Sequence, residues 1–186
     1  PGTVLNNGAG PGSSPIPERN GEYTARFICT IPSSATEPDG TANPTRMMLY
    51  GHGLLGSARE VYGASSRYAG VANVTTCATW WIGMSEDDIG AVLAALGDMT
   101  AFRTLPDRLQ QSMLNVMFLG RLMKHPAGLS SSPAFQAADG SPLLDQENLT
   151  FNGVSQGGIL GGAVTAAPQL GQVPIQGVRA SYCSRV

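Results

Sequence analysis

The chain has 186 residues, 42% hydrophobic and 13% charged, with a formal net charge of -2. That suits one domain with a real core, and 11 basic against 13 acidic residues leave no basic stripe for a phosphate backbone, which excludes nucleic acid as a partner. No uninterrupted apolar run reaches the roughly 18 residues of a membrane-crossing helix.

In chain order, residues 1–20 are rich in Pro and Gly and read as a flexible N-terminal arm, and the start at Pro1 reads as a trimmed mature form. A domain over 21–186 follows. Glu22 to Ile31 alternates like a strand, and Pro32 to Pro44 is a loop. Arg46 to Tyr50 is a continuous apolar run, as in a strand buried on both faces. A helix is predicted over 57–69 and a second buried strand over 71–82. Ser85, followed by Glu86, Asp87 and Asp88, is an N-cap signature for a helix carrying Ile89, Val92, Leu93 and Leu96. Pro106 opens another helix, with Leu109, Met113, Val116, Met117, Leu119 and Leu122 largely at helical spacing. Residues 127–148 read mostly as loop, then a strand, a small-residue helix to about 167 and a last strand near 173–180. No internal repeat is visible. The alternation predicts an α/β fold, a mostly parallel sheet with flanking helices. Residues 83–148 exceed one crossover helix, so the segment is expected to include a cap-like insertion.

Functional residues in parallel sheets gather at the C-terminal strand ends. One such end carries Gly51-His52-Gly53-Leu54-Leu55-Gly56, a second Gly83-Met84-Ser85-Glu86-Asp87-Asp88, and a third Gly153-Val154-Ser155-Gln156-Gly157. The third is the Gly-x-Ser-x-Gly pattern of a nucleophile elbow, a tight strand-to-helix turn that exposes a serine hydroxyl beside a helix N-terminus. Together the first and third are far more specific than either alone. They resemble the α/β-hydrolase family, in particular bacterial serine esterases and lipases; Trp81-Ile82-Gly83-Met84-Ser85 and Leu105 to Gln111 resemble its large exported esterases. The likeness covers roughly residues 45–168.

The resemblance implies that Ser155 is the nucleophile, acylated by a small-molecule or lipid ester of short to medium chain, with the backbone N–H groups of Leu54 and Gln156 as oxyanion donors. It also implies an exported or periplasmic protein, without cofactor or metal. The family places its acid and histidine after the serine. Here no Asp, Glu or His follows Ser155, so the hydrolase fold reads as incomplete, apparently truncated at its C-terminus. Two histidines exist. His52 either braces the oxyanion loop or serves as the base, oriented by Glu86, Asp87 or Asp88, of which Asp87 is taken as the candidate acid. The same carboxylates also read as helix-dipole partners. His125, in Lys124-His125-Pro126, reads as a solvated loop residue. Alternatives are a catalytically impaired binding module, or a fragment completed by a second chain or a copy of itself pairing through an exposed last strand. The three cysteines have no metal-ligand spacing. Cys77 reads as a small core residue, and Cys29 and Cys183 as a candidate pair. Met113, Met117, Met123 and Met84 read as core filling or as an acyl-chain lining.

Overall fold

The computed structural model describes residues 19, 21–63, 72–166 and the backbone of 178–181. The arm, the later part of the helix expected over 57–69, the start of the expected last strand and Cys183 lie outside the described residues.

Five strands form one sheet: β1 (Phe27–Thr30), β2 (Thr45–Gly51), β3 (Val74–Thr79), β4 (Leu144–Val154) and β5 (Val178–Ser181). Their spatial order is β1-β3-β2-β4-β5. β1 is antiparallel to β3, and every other pairing is parallel. The fold is therefore α/β with a mostly parallel sheet. From β2 the chain crosses to β3 on one side, then returns to place β4 on the other. The strand order reverses at β2 and β4, and a crevice opens beyond the carboxyl ends of strands at such a point.

The two-residue period of a strand divides the sheet side chains between two layers. Met47, Leu49, Cys77, Leu149 and Phe151 enter one core with Val116, Leu119, Met123 and Val164. These last four come from helix α2 (Thr104–Lys124) and helix α3 (Gln156–Ala166). Tyr50, Ala78 and Trp80 pack on the other face with Ala58 and Val61. The long helix α2 thus lies on the sheet and is no cap. Met123 is wholly buried, and Met113 and Met117 pack against the same core, which makes core filling the role of these three; Met84 lies in the 83–85 turn outside that core. What stands away from the core between residues 83 and 148 is helix α1 (Ile89–Gly97) with the turn after it: only Ala95 of α1 is buried, and Leu93, Leu96 and Met99 are exposed.

Cys77 is buried in the core as expected, and the expected pairing of Cys29 with Cys183 is overturned. Cys77 forms a disulfide with Cys29, its direct cross-strand partner in the β1–β3 pair.

The sequence carries no internal repeat, but the structure repeats one local backbone device. The segment leading into β2 and the one leading into β4 are the same backbone device, one hundred residues apart. A short 3₁₀ turn (Ser33–Ala35, Pro133–Phe135) is followed by a tight reversal at Asp39-Gly40-Thr41 or Asp139-Gly140-Ser141. In one, Glu37 N–H donates to Thr41 O, Gly40 N–H to Glu37 O and Asn43 N–H to Ala35 O. In the other, Ala137 N–H donates to Ser141 O, Gly140 N–H to Ala137 O and Leu143 N–H to Phe135 O. Each aspartate Oδ1 accepts the N–H two residues on, at 3.0 and 2.9 Å. The two devices share a small core of Ala35, Ala137 and Leu143, flanked by Ile31 and Ala42, at the amino end of the parallel strands.

Candidate active site

Ser155 sits between the last residue of β4 and the first of α3, as its motif predicts. It is exposed and has φ of 53°, a left-handed conformation that L residues other than Asn and Asp rarely adopt. The turn is held by close backbone approach. A Cβ on Gly157 would overlap the carbonyl oxygen of Gly51 and come 2.5 Å from that of His52, so only glycine lets α3 start this near the end of β2. That contact brings the loop after β2 alongside the serine: a Cβ on Gly53 would lie 4.0 Å from Ser155 Cβ.

Within this loop Leu55 also has a left-handed φ, 54°. Leu55 N–H donates to Met84 O and Gly56 N–H to Gly53 O. Among the described residues, no backbone acceptor takes the N–H of Leu54 or of Gln156. Gln156 opens α3, where first-turn N–H groups carry the positive end of the helix dipole. The two expected oxyanion donors therefore belong to the two segments that meet at Ser155.

The histidines stand elsewhere. His52 is fully buried and both its ring nitrogens are committed. Nε2 accepts the Trp81 N–H at 2.8 Å, which leaves Nδ1 as the protonated nitrogen, 2.8 Å from Gly53 O. Burial holds its pKa below the ordinary 6.5, against the hydrogen bond to Gly53 and the charges of Glu60, Glu86 and Asp88. A buried neutral ring tied to backbone at both ends braces the loop; in this arrangement it offers no free lone pair to the Ser155 proton. His125 caps the far end of α2, where Lys124 bonds Glu147 O at the beginning of β4. It lies at the opposite edge of the sheet, and its Nδ1 accepts the Ala127 N–H.

Nor do the three carboxylates form an acid for His52. Asp87 pairs with Arg26 at 2.6 Å in the open. Glu86 accepts from Ser57 Oγ, Arg59 and Trp80 Nε1, and these partners lower its pKa, the Ser57 hydroxyl most. Asp88, 2% exposed, accepts from Gly83 N–H, Ser85 N–H and the Ser85 hydroxyl, and pairs with Arg108 at 2.6 Å. Burial pushes its pKa up, but those four donors outweigh burial and hold it below the usual carboxylate value.

Sequence reasoning overlooked Glu60. Its carboxylate takes the Ser57 N–H and the Tyr50 hydroxyl, fixing the end of the loop. The signal was present, since Ser57-x-x-Glu60 is a capping box. Arg108 gave no comparable signal, because its partner lies 20 positions away.

Among the described residues, no group of three or more His, Cys, Asp or Glu side chains could hold a metal, and no helix is long and apolar enough to cross a membrane. No protein-family model matches the chain, and no curated protein matches it.

Proposed function

We propose that the chain is the nucleophile-bearing part of a serine carboxylic-ester hydrolase of the α/β-hydrolase type. The carrying observation is Ser155 itself: exposed, left-handed in φ, at a strand-to-helix junction, with the glycine loop after β2 against it. Backbone strain of this kind gathers at functional sites, and the strand order with its reversal at β2 and β4 supports the same reading. Ser155 attacks the carbonyl of a short- to medium-chain ester or lipid, and the N–H groups of Leu54 and Gln156 receive the oxyanion. No cofactor enters. With both ring nitrogens of His52 committed and His125 at the opposite end of the sheet, neither is placed to take the serine proton, and that group is supplied by a second chain or a complementing segment. The disulfide between Cys29 and Cys77 supports an exported protein, because such bonds persist in oxidising compartments.

A second reading, a binding module built on a hydrolase frame, is favoured by the same engagement of His52. A fluorophosphonate followed by intact mass separates the two. The hydrolase reading expects one adduct, lost in Ser155→Ala, and faster turnover of p-nitrophenyl esters when free imidazole is added as a substitute base. No adduct with or without imidazole leaves the binding module standing. Light scattering tests whether two copies pair through the last strand; a monomer at high concentration argues against pairing.

A further inference from the structure

We propose that Asp88 is the positioning residue of the oxyanion loop, acting through the turn at 83–85. The inference rests on the hydrolase reading for its consequence in catalysis, but its structural content stands apart from it.

The loop at 53–56 is closed within itself by a single backbone bond, Gly56 N–H to Gly53 O, and otherwise relies on its neighbours. Gly53 O accepts from His52, and the far side of the loop leans on a neighbouring segment. Leu55 N–H donates to Met84 O, Glu86 N–H donates to Gly56 O, and Gly56 pairs with Ser85 as an isolated parallel bridge. The left-handed φ of Leu55 is thus maintained by a turn that is itself unusual. Gly83 has φ of 98°, and a Cβ there would come 2.9 Å from Leu105 O and 3.0 Å from Arg108 Cβ.

Met84 N–H closes that turn onto Trp81 O, and one carboxylate grips it from the other side. Asp88 Oδ2 receives both N–H groups that flank Met84, from Gly83 at 2.8 Å and Ser85 at 3.0 Å, with the Ser85 hydroxyl at 2.6 Å. Its Oδ1 is held by Arg108 of α2. The Met84 carbonyl that receives Leu55 lies between the two N–H groups that Asp88 grips. The load path runs from α2 through Arg108, Asp88 and the 83–85 turn to Leu55, next to the Leu54 donor. A buried, paired carboxylate with four donors is a costly feature for a mere helix start, where an exposed aspartate would satisfy the same dipole.

The test uses Asp88→Asn in the full chain, with Ser85→Ala as a milder variant that removes only the hydroxyl donor, and Asp139→Asn as a control far from the site. Amide hydrogen exchange is followed at Leu55 and Glu86, and at Leu49 and Phe151 in the sheet. Fluorophosphonate labelling of Ser155 is timed in parallel. The proposal expects Leu55 and Glu86 to exchange at least about tenfold faster in Asp88→Asn while Leu49 and Phe151 keep their protection, with a smaller change of the same pattern in Ser85→Ala. It expects labelling to slow by up to ~10²-fold, since misplacing a donor by about 1 Å is enough for that. Unchanged protection at Leu55, or a uniform rise at all four amides, overturns the positioning role. If Asp88→Asn does not fold, Ser85→Ala decides by the same criteria. A wild-type chain that takes no label sinks the hydrolase reading, while the exchange pattern still decides the role of Asp88.

Discussion

The two ends of one sheet are built on opposite plans. At the amino end, β2 and β4 are each introduced by the same turn, and each turn is satisfied from within a few residues by its own Asp39 or Asp139. Both aspartates are exposed, and hydrogen bonds to the residue two positions on hold their pKa values low. At the carboxyl end the loops are also tied to distant segments: His52 to Trp81, Ser57 to Glu86, and the 83–85 turn, closed locally by Asp88, through Asp88 to Arg108 of α2. Locally closed turns tolerate change, because losing one disturbs only itself. A mutually closed set holds backbone in left-handed conformations at Leu55 and Ser155, at the expense of making every member depend on the others.

The largest way to break this contrast is Gly157→Ala. The new methyl has nowhere to go but into the backbone of Gly51 and His52, and the expected loss is about 3 kcal/mol, read as a lower urea midpoint at unchanged slope. A neutral midpoint would mean that the elbow is looser than described.

A second way uses acid. His52 has a folded pKa below its unfolded 6.5, so on the acid side of 6.5 the unfolded chain takes up a proton that the native state refuses. Stability from this ring is complete above 6.5 and declines as pH falls through the folded value. Asp88 adds a second decline, beginning nearer 3.8. His52→Gln should flatten the first decline and leave the second, as measured by denaturation midpoints across pH. The smallest effect belongs to the amino end: Asp39→Ala and Asp139→Ala should each move the midpoint least of the series. Their double variant tests whether turns sharing one small core still behave additively.

The division also explains what could be read in advance. β2, β4, α2 and the Ser155 elbow were legible because each is encoded by neighbours: an apolar run, a helical period, a glycine pattern. For His52 and the carboxylates the sequence left two roles open, brace or base and dipole partner or acid, because a side chain at a strand end is assigned by what packs across from it, and the partners lie 29 positions away for His52 and 20 for Asp88. The repeated turn escaped for the opposite reason. It is written in backbone hydrogen bonds, and the two copies share little sequence beyond Asp-Gly and a following hydroxyl residue. The disulfide escaped because Cys29 and Cys77 become neighbours only once β1 is known to lie antiparallel on β3.

That disulfide has a mechanical consequence. Among the described residues β1 is an edge strand, joined to the sheet along one side, and such a strand would ordinarily unzip one hydrogen bond at a time when its free end is pulled. With Cys29 bonded to Cys77, tension arriving from the amino-terminal side passes covalently into β3, which is flanked on both sides. An edge strand of the sheet is thereby riveted to an interior one, and a pull on the arm loads the whole sheet rather than its rim.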